Sequence, residues 1–246
     1  MSVTLESVDR RVLGGFAFVD SITSASIAAP LSVVSQVLKI KGNRSGVYAV
    51  FDGPGFRSLT TQFIPTGTWP PTQDFEITVS DPGGHYLARR VKIKAPQELV
   101  GAFAPTKLTL YPSAKATVDL NWAVVRASVT SSAGAGLPWS VVRVILKSDN
   151  SVLATGMSDD RGEALLAVAG RGYQVSDKTT DPVTETSEAV TIQAWFDPGV
   201  LQQPKNFVPN PDDILGNLAN PALKTATSDG ALSPRQTLAV PITISV

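Results

Sequence analysis

One histidine, His85, stands in "DPGGHYL", and the 246 residues contain no cysteine. The lack of cysteine excludes disulfides, thiolate metal sites and cysteine nucleophiles. A serine-type triad needs an imidazole held by a carboxylate and aimed at a hydroxyl. His85 follows a Gly-Gly pair that reads as a turn, and no G-x-S-x-G elbow occurs. It is expected to be a solvated loop histidine. Asp159, Asp160 and Glu163 could offer oxygens to calcium, but they lack the spacing of an EF-hand loop. They read instead as turn-stabilising acids, as do Asp177 and Asp181 in "DKTTDP". "FDGPGF" (Phe51 to Phe56) has glycines but no following helix or lysine to cradle a phosphate. The acid–base inventory is thin, so the sequence predicts a non-enzyme with no catalytic, cofactor-binding or metal-binding residues.

The remaining chemistry is that of binding. Trp122, Trp139 and Trp195 fall on or beside strand-like runs and read as core, where such rings dominate burial. Trp69, in "TGTWPPTQ", is either an exposed anchor or a ring that closes the core; the residues leave both open. "ARRVKIK" alternates, so its cations read as the wet face of a strand. With 21 basic and 21 acidic residues, nothing demands the basic face that nucleic acid needs. Zero net charge also removes colloidal repulsion, which favours association. No apolar run approaches the ~18 residues of a membrane span. The start, "MSVTLESVDRRVLGG", lacks the apolar core of a secretory signal, so synthesis without a signal peptide in the cytoplasm is expected.

Elements with period two must position these residues. "GGFAFVDSI", "SGVYAVF", "DFEITVS", "RRVKIKA", "KLTLYPS", "ATVDLNWAVVRASVT", "WSVVRVILKS", "SVLATGMS", "EALLAVAG", "AVTIQAWF" and "LAVPITISV" read as strands. They are punctuated by turns such as "GPG", "DPGG", "AGAG" and "DDRG", drawn from 19 glycines and 18 prolines. In "SGVYAVF", Val47, Ala49 and Phe51 share a face; in "DFEITVS", Phe75, Ile77 and Val79 do. The fold class is all-β. One helix is expected in "NPDDILGNLANP". There Asn210 can cap, Pro211 suits the first turn, and Asp212 and Asp213 complement the positive helix end.

Two stretches echo each other. "FAFVDSITSASIAAPLSVV" runs strand, small-residue turn, Pro-Leu, strand, then reaches "GNRSGVYAVF". "VVRASVTSSAGAGLPWSVVRV" does the same and reaches "SDDRGEALLAV". Gly46 and Gly162 would supply a positive φ, and Asn43 and Asp160 would bond nearby amides. The order predicts two duplicated sandwiches.

The second unit resembles the carboxypeptidase regulatory-like domains, a transthyretin-like, Ig-like sandwich family. The residues that carry this are "VVRASVTSSAGAGLPWSVVRVIL", "VLATGMSDDRGEALLAV" and "YQV". The sequence departs from the family pattern at Ala164, where an aromatic is common. The resemblance covers about 75 residues and implies a scaffold or binding module without catalytic residues.

The expected organisation is an N-terminal segment (1–9), a first sandwich (10–98), a connector strand or linker (99–118) and a second sandwich (119–196). An extended arm (197–235) and a C-terminal edge strand (236–246) follow. The arm has many prolines and recurring apolar residues: Val200, Leu201, Phe207, Val208, Ile214, Leu215 and Leu218. A run this long without a strand suits either a segment lying on its own domain or one that seats on a neighbour. Pro241 marks the last strand as an edge, which would offer Ile242 and Ile244 to a neighbouring chain. These features point to a structural, homo-oligomeric component of a large protein assembly. The expected setting is a phage tail or phage-tail-like contractile particle, as adaptor, cap, decoration or baseplate component. The alternative is an adhesion module that binds a ligand or carbohydrate, with Trp69 or Tyr86 as the stacking surface.

Overall fold

The protein's computed structural model describes residues 12–56, 71–97, 104–169, 187–204 and 206–246. Trp69, Asp177, Asp181, "YQV" and the 1–9 segment lie outside them. The described chain is nearly all β. Strands β1 (Gly14–Asp20), β2 (Ser32–Val34), β3 (Lys39–Gly42), β4 (Val47–Asp52), β5 (Gln73–Ser80), β6 (Arg89–Ala95) and β7 (Thr106–Leu110) make two sheets, ordered β3-β4-β1-β7 and β2-β5-β6. Strands β8 (Ala123–Ser131), β9 (Val141–Leu146), β10 (Val152–Met157), β11 (Glu163–Val168), β12 (Glu188–Phe196), β13 (Lys224–Leu232) and β14 (Thr237–Ile244) make two more, ordered β11-β8-β14 and β10-β9-β12-β13. A 3-10 turn (Pro198–Gln202) and a short helix α1 (Pro211–Leu215) complete the elements.

The two halves share their ladder. The first strand of each pairs antiparallel with the fourth and parallel with the seventh. The fifth pairs antiparallel with the second and the sixth. Each half has its own apolar core between its two sheets. In the first, Phe16, Phe18 and Tyr48 interlock, with ring centroids 5.4 to 5.7 Å apart. Such pairs add about 0.5–1.5 kcal/mol each beyond the area they bury.

The period-two pattern sorts faces well in β5, where Phe75, Ile77 and Val79 are buried, and in β6, where Val91 and Ile93 are. In β4 it is Tyr48 and Val50 that enter the core, while Val47, Ala49 and Phe51 lie half-buried on the other face. Two boundaries differ from expectation. The 99–118 connector contains β7, which pairs along β1 and closes the first half. The 197–235 arm contains β13, which runs nine residues against β12, so the second half reaches from β8 to β14. Strand β14 does lie at the edge of its sheet.

The echo is a real repeat of turn geometry. Asn43 Oδ1 accepts from the Ser45 and Val47 amides, both at 2.9 Å. Asp159 Oδ1 accepts from those of Arg161 and Glu163, at 2.9 and 3.0 Å. The residue equivalent to Asn43 is therefore Asp159; Asp160, the expected one, is exposed. Gly46 has φ +76° and Gly162 φ +88°. A Cβ there would stand 2.3 Å from the Ile27 carbonyl oxygen and 2.4 Å from that of Val129. Only glycine fits both the dihedral and the space.

Candidate functional site

The arm folds back on its own chain. Asn210 caps α1, accepting from the Asp212 amide at 3.3 Å, and Pro211 occupies its first turn. Ahead of the helix, the Pro209 carbonyl accepts from the Arg90 amide at 2.6 Å, along the outer edge of β6. The Val208 carbonyl takes the Arg90 guanidinium at 2.6 Å, and that guanidinium lies 4.7 Å over the Phe207 ring. Asp212 pairs with Arg89, and Asp213 with Lys92 at 3.1 Å. Arg89 is 2% exposed in its side chain and also donates to the Thr109 carbonyl at 2.6 Å. The cations of "ARRVKIK" thus seat the arm rather than simply facing water, with Lys94 left exposed.

The far side of the same segment meets the second half. Ile214 is buried against Val141 and Trp195, with Leu215, Leu218 and Leu223 packed around them. Residues 206–218 therefore form a strap, bonded to β6 of the first half and packed on β9 and β12 of the second. This places the residues expected to face a neighbour. Phe207, Val208, Ile214, Leu215 and Leu218 serve contacts within the chain. Val200, Ile242 and Ile244 join the second core. Leu201, 56% exposed, remains open. A sheet-edge strand presents its backbone, but its inward apolar side chains are already spent on its own core.

Trp195 sits on the outer face of its sheet under the strap, not in the sandwich core. Trp122 is half-buried beside Ile22 and Val118, where the connector covers the outer face of β8 and β11. Trp139 is half-buried with φ +60°. Position along a strand does not say which face of a sheet is covered, and here the outer faces are covered too.

The polar residues are mostly spent locally. Both Asp159 oxygens are engaged: Oδ2 takes the Arg161 guanidinium at 2.8 Å. Ser128 Oγ donates to both Glu163 oxygens. Asp81 accepts from the Gly83, His85 and Tyr86 amides. Burial pushes its carboxyl up, and these three bonds outweigh that and hold it below its ordinary pKa. His85 is 65% exposed, with Nδ1 3.5 Å from Asp81. Together with Asp20, Tyr86, Thr117 and Trp122 it lines a groove of about 450 Å³ beside the junction of the halves. Tyr86 donates to Asp20 Oδ2 at 3.0 Å, and burial with that bond raises its phenol's pKa. No hydroxyl nucleophile is bonded to His85 among the described residues. No described helix is long and apolar enough to cross a membrane.

A scan against protein-family models finds no match, and a search of curated proteins finds no relative. Among solved structures, the Bacillus anthracis TIE protein is similar over 96% of this chain and 34% of its own, at 10% identity and a TM-score of 0.25. This chain therefore spans about a third of that protein's length.

Proposed function

We propose that the chain is a non-enzymatic structural protein in which two tandem Ig-like, transthyretin-like sandwiches act as one rigid spacer within a larger protein assembly. The strap carries this reading. It uses two carboxylates, three cations and a buried isoleucine to hold one half against the other, which supplies shape rather than turnover. The shared seven-strand ladder supports the tandem-sandwich reading. The setting, a component of a phage tail or phage-tail-like particle in a homo-oligomer, rests on analogy of fold. Zero net charge supports association. With the arm turned inward, contacts to neighbours fall to the sheet edges and to exposed apolar tips such as Leu120 (88% exposed) and Leu201 (56%). Light scattering on the purified chain, then co-purification with partners, tests this. A ring or stable larger complex supports it, and a monomer at every concentration that captures no subunit ends it.

A second reading, an adhesion module for carbohydrate, is favoured by the groove that holds Tyr86, Trp122, His85 and Asp20. Aromatic faces beside hydroxyl and carboxylate groups suit a sugar ring. Glycan-array binding that disappears in Trp122→Ala would shift the choice to it.

A further inference from the structure

A second cavity, of about 330 Å³, opens where the two halves and the strap meet. Ser21, Thr109 and Tyr111 line it from the first half, Arg143 and Thr155 from the second, and Leu215 from α1. The two buried side-chain polar atoms without a hydrogen-bond partner among the described residues are Ser21 Oγ and Arg143 Nε, and both residues line this one cavity. A buried donor left without a partner is costly, so such atoms are nearly always satisfied by protein, water or ligand.

Charge sharpens the point. Arg89 lies 5.7 Å over the Tyr111 ring, and Arg143 is near enough to act on the same phenol. One carboxylate, Asp212, also acts there, and it closes on Arg89. Among the described residues no carboxylate pairs with Arg143; its guanidinium lies 5.8 Å over the Trp195 ring. The ring covers one face of the fork. A planar guanidinium grips an oxyanion through two parallel N–H bonds.

We propose that this cavity binds a small oxyanion, a carboxylate or a phosphate, gripped by Arg143 with Ser21 Oγ donating beside it. The volume is at the lower end for ligand sites, which suits a metabolite-sized anion rather than a polymer. The aliphatic side chains of Val152, Leu153 and Leu215 on the wall accommodate a short carbon body. Bound there, the anion touches both halves and the strap, so it tightens the junction.

The test uses the full chain with 15N-labelled arginine side chains. Sodium phosphate and sodium butanoate are titrated separately against sodium chloride at matched ionic strength. A saturable shift of the Arg143 Nε–H signal, with Kd weakened at least tenfold in Arg143→Gln and severalfold in Ser21→Ala, is expected. Lys39→Gln, altering an exposed pair with Asp52, should bind as the parent does. Response to phosphate alone identifies a phosphate site, and response to butanoate alone an organic-acid site. If the wild-type Nε–H signal ignores both probes, a buried water satisfies these donors and the proposal fails. Binding that survives in folded Arg143→Gln overturns it equally. Because the first readout is on the wild type, misfolding of a variant does not remove the test.

Discussion

Replacing Gly162 by alanine separates two costs that the repeated turn combines. The first is conformational. At φ +88° an alanine is in the left-handed region, which costs about 1–2 kcal/mol. The second is contact. The new Cβ would stand 2.4 Å from the Val129 carbonyl oxygen and 2.9 Å from the Leu137 nitrogen, both backbone atoms that cannot rotate away. Relief means moving β8 from the turn, which weakens the Leu137 N–H to Val129 carbonyl bond and the Val129 N–H to Gly162 carbonyl bond, each 2.8 Å. At about 1 kcal/mol apiece, the total reaches about 3–4 kcal/mol. Gly134 is the internal control. It has φ +80°, but nothing lies within 4 Å of the point where a Cβ would stand, so Gly134→Ala incurs the first cost alone. Alanine also stiffens the unfolded chain, by about 0.4–1 kcal/mol, but equally in both variants, so their difference isolates the contact. At ~2–4 °C per kcal/mol, scanning calorimetry should show Gly162→Ala melting about 10 °C lower and Gly134→Ala about 4 °C lower. Gly46→Ala, 2.3 Å from the Ile27 oxygen, should behave like Gly162→Ala. Equal melting of the Gly162 and Gly134 variants would refute the packing argument and leave only the dihedral.

Asp212→Ala leaves the buried Arg89 guanidinium with backbone carbonyls alone. Because Asp212 is half-exposed, the loss in urea unfolding should be about 1–3 kcal/mol, with faster protease cutting within 206–218. The Asp81 carboxyl is held below its ordinary value of 3.8, so its stabilisation is present above that pH and is lost as pH falls through the lowered value. Melts on a descending pH series should therefore fall more steeply below 3.8 for the parent than for Asp81→Asn. His85→Ala, altering a side chain 65% exposed, should shift the melting temperature by no more than about 2 °C. A larger shift would mean that His85 helps to hold the groove.

Legibility followed the apolar pattern. Strands whose inner face is large and apolar, such as β5, β12 and β14, could be read directly. Strand β13, "KTATSDGAL", could not, because its sheet position requires small residues. A Cβ on Gly230 would stand 2.6 Å from Leu238, so the neighbouring strand fills the space that a large β13 side chain would need. The helix was legible through its cap and first-turn acids, since those signals are local. Its seat was not. Asp212 meets Arg89 across 123 positions of sequence, and nothing in "PDDIL" says that its acids are for β6 and its apolar residues for Trp195. The Arg143 cavity was invisible for the same reason: its lining comes from Ser21 to Leu215.

The third strand of each half shows where a repeated motif stops determining topology. In the first half β3 pairs with β4, so the Asn43–Gly46 turn closes a hairpin within one sheet. In the second half β10 pairs with β9, so the matching Asp159–Gly162 turn carries the chain from one sheet to the other. The turns are alike in their bonds; the difference lies upstream. Strand β9 has six residues and ends in a tight turn, with Asn150 at φ +59° and the Leu146 amide donating to the Ser151 carbonyl at 2.9 Å. That turn delivers β10 directly alongside β9. Strand β2 has three residues, and Ser35 Oγ then accepts from the Leu38 amide at 3.2 Å, bending the chain away before a ladder can form. The third strand, without a template beside β2, pairs with the strand that follows it. The Asx turn fixes the local path in both halves, and the length of the preceding strand decides which sheet that path joins.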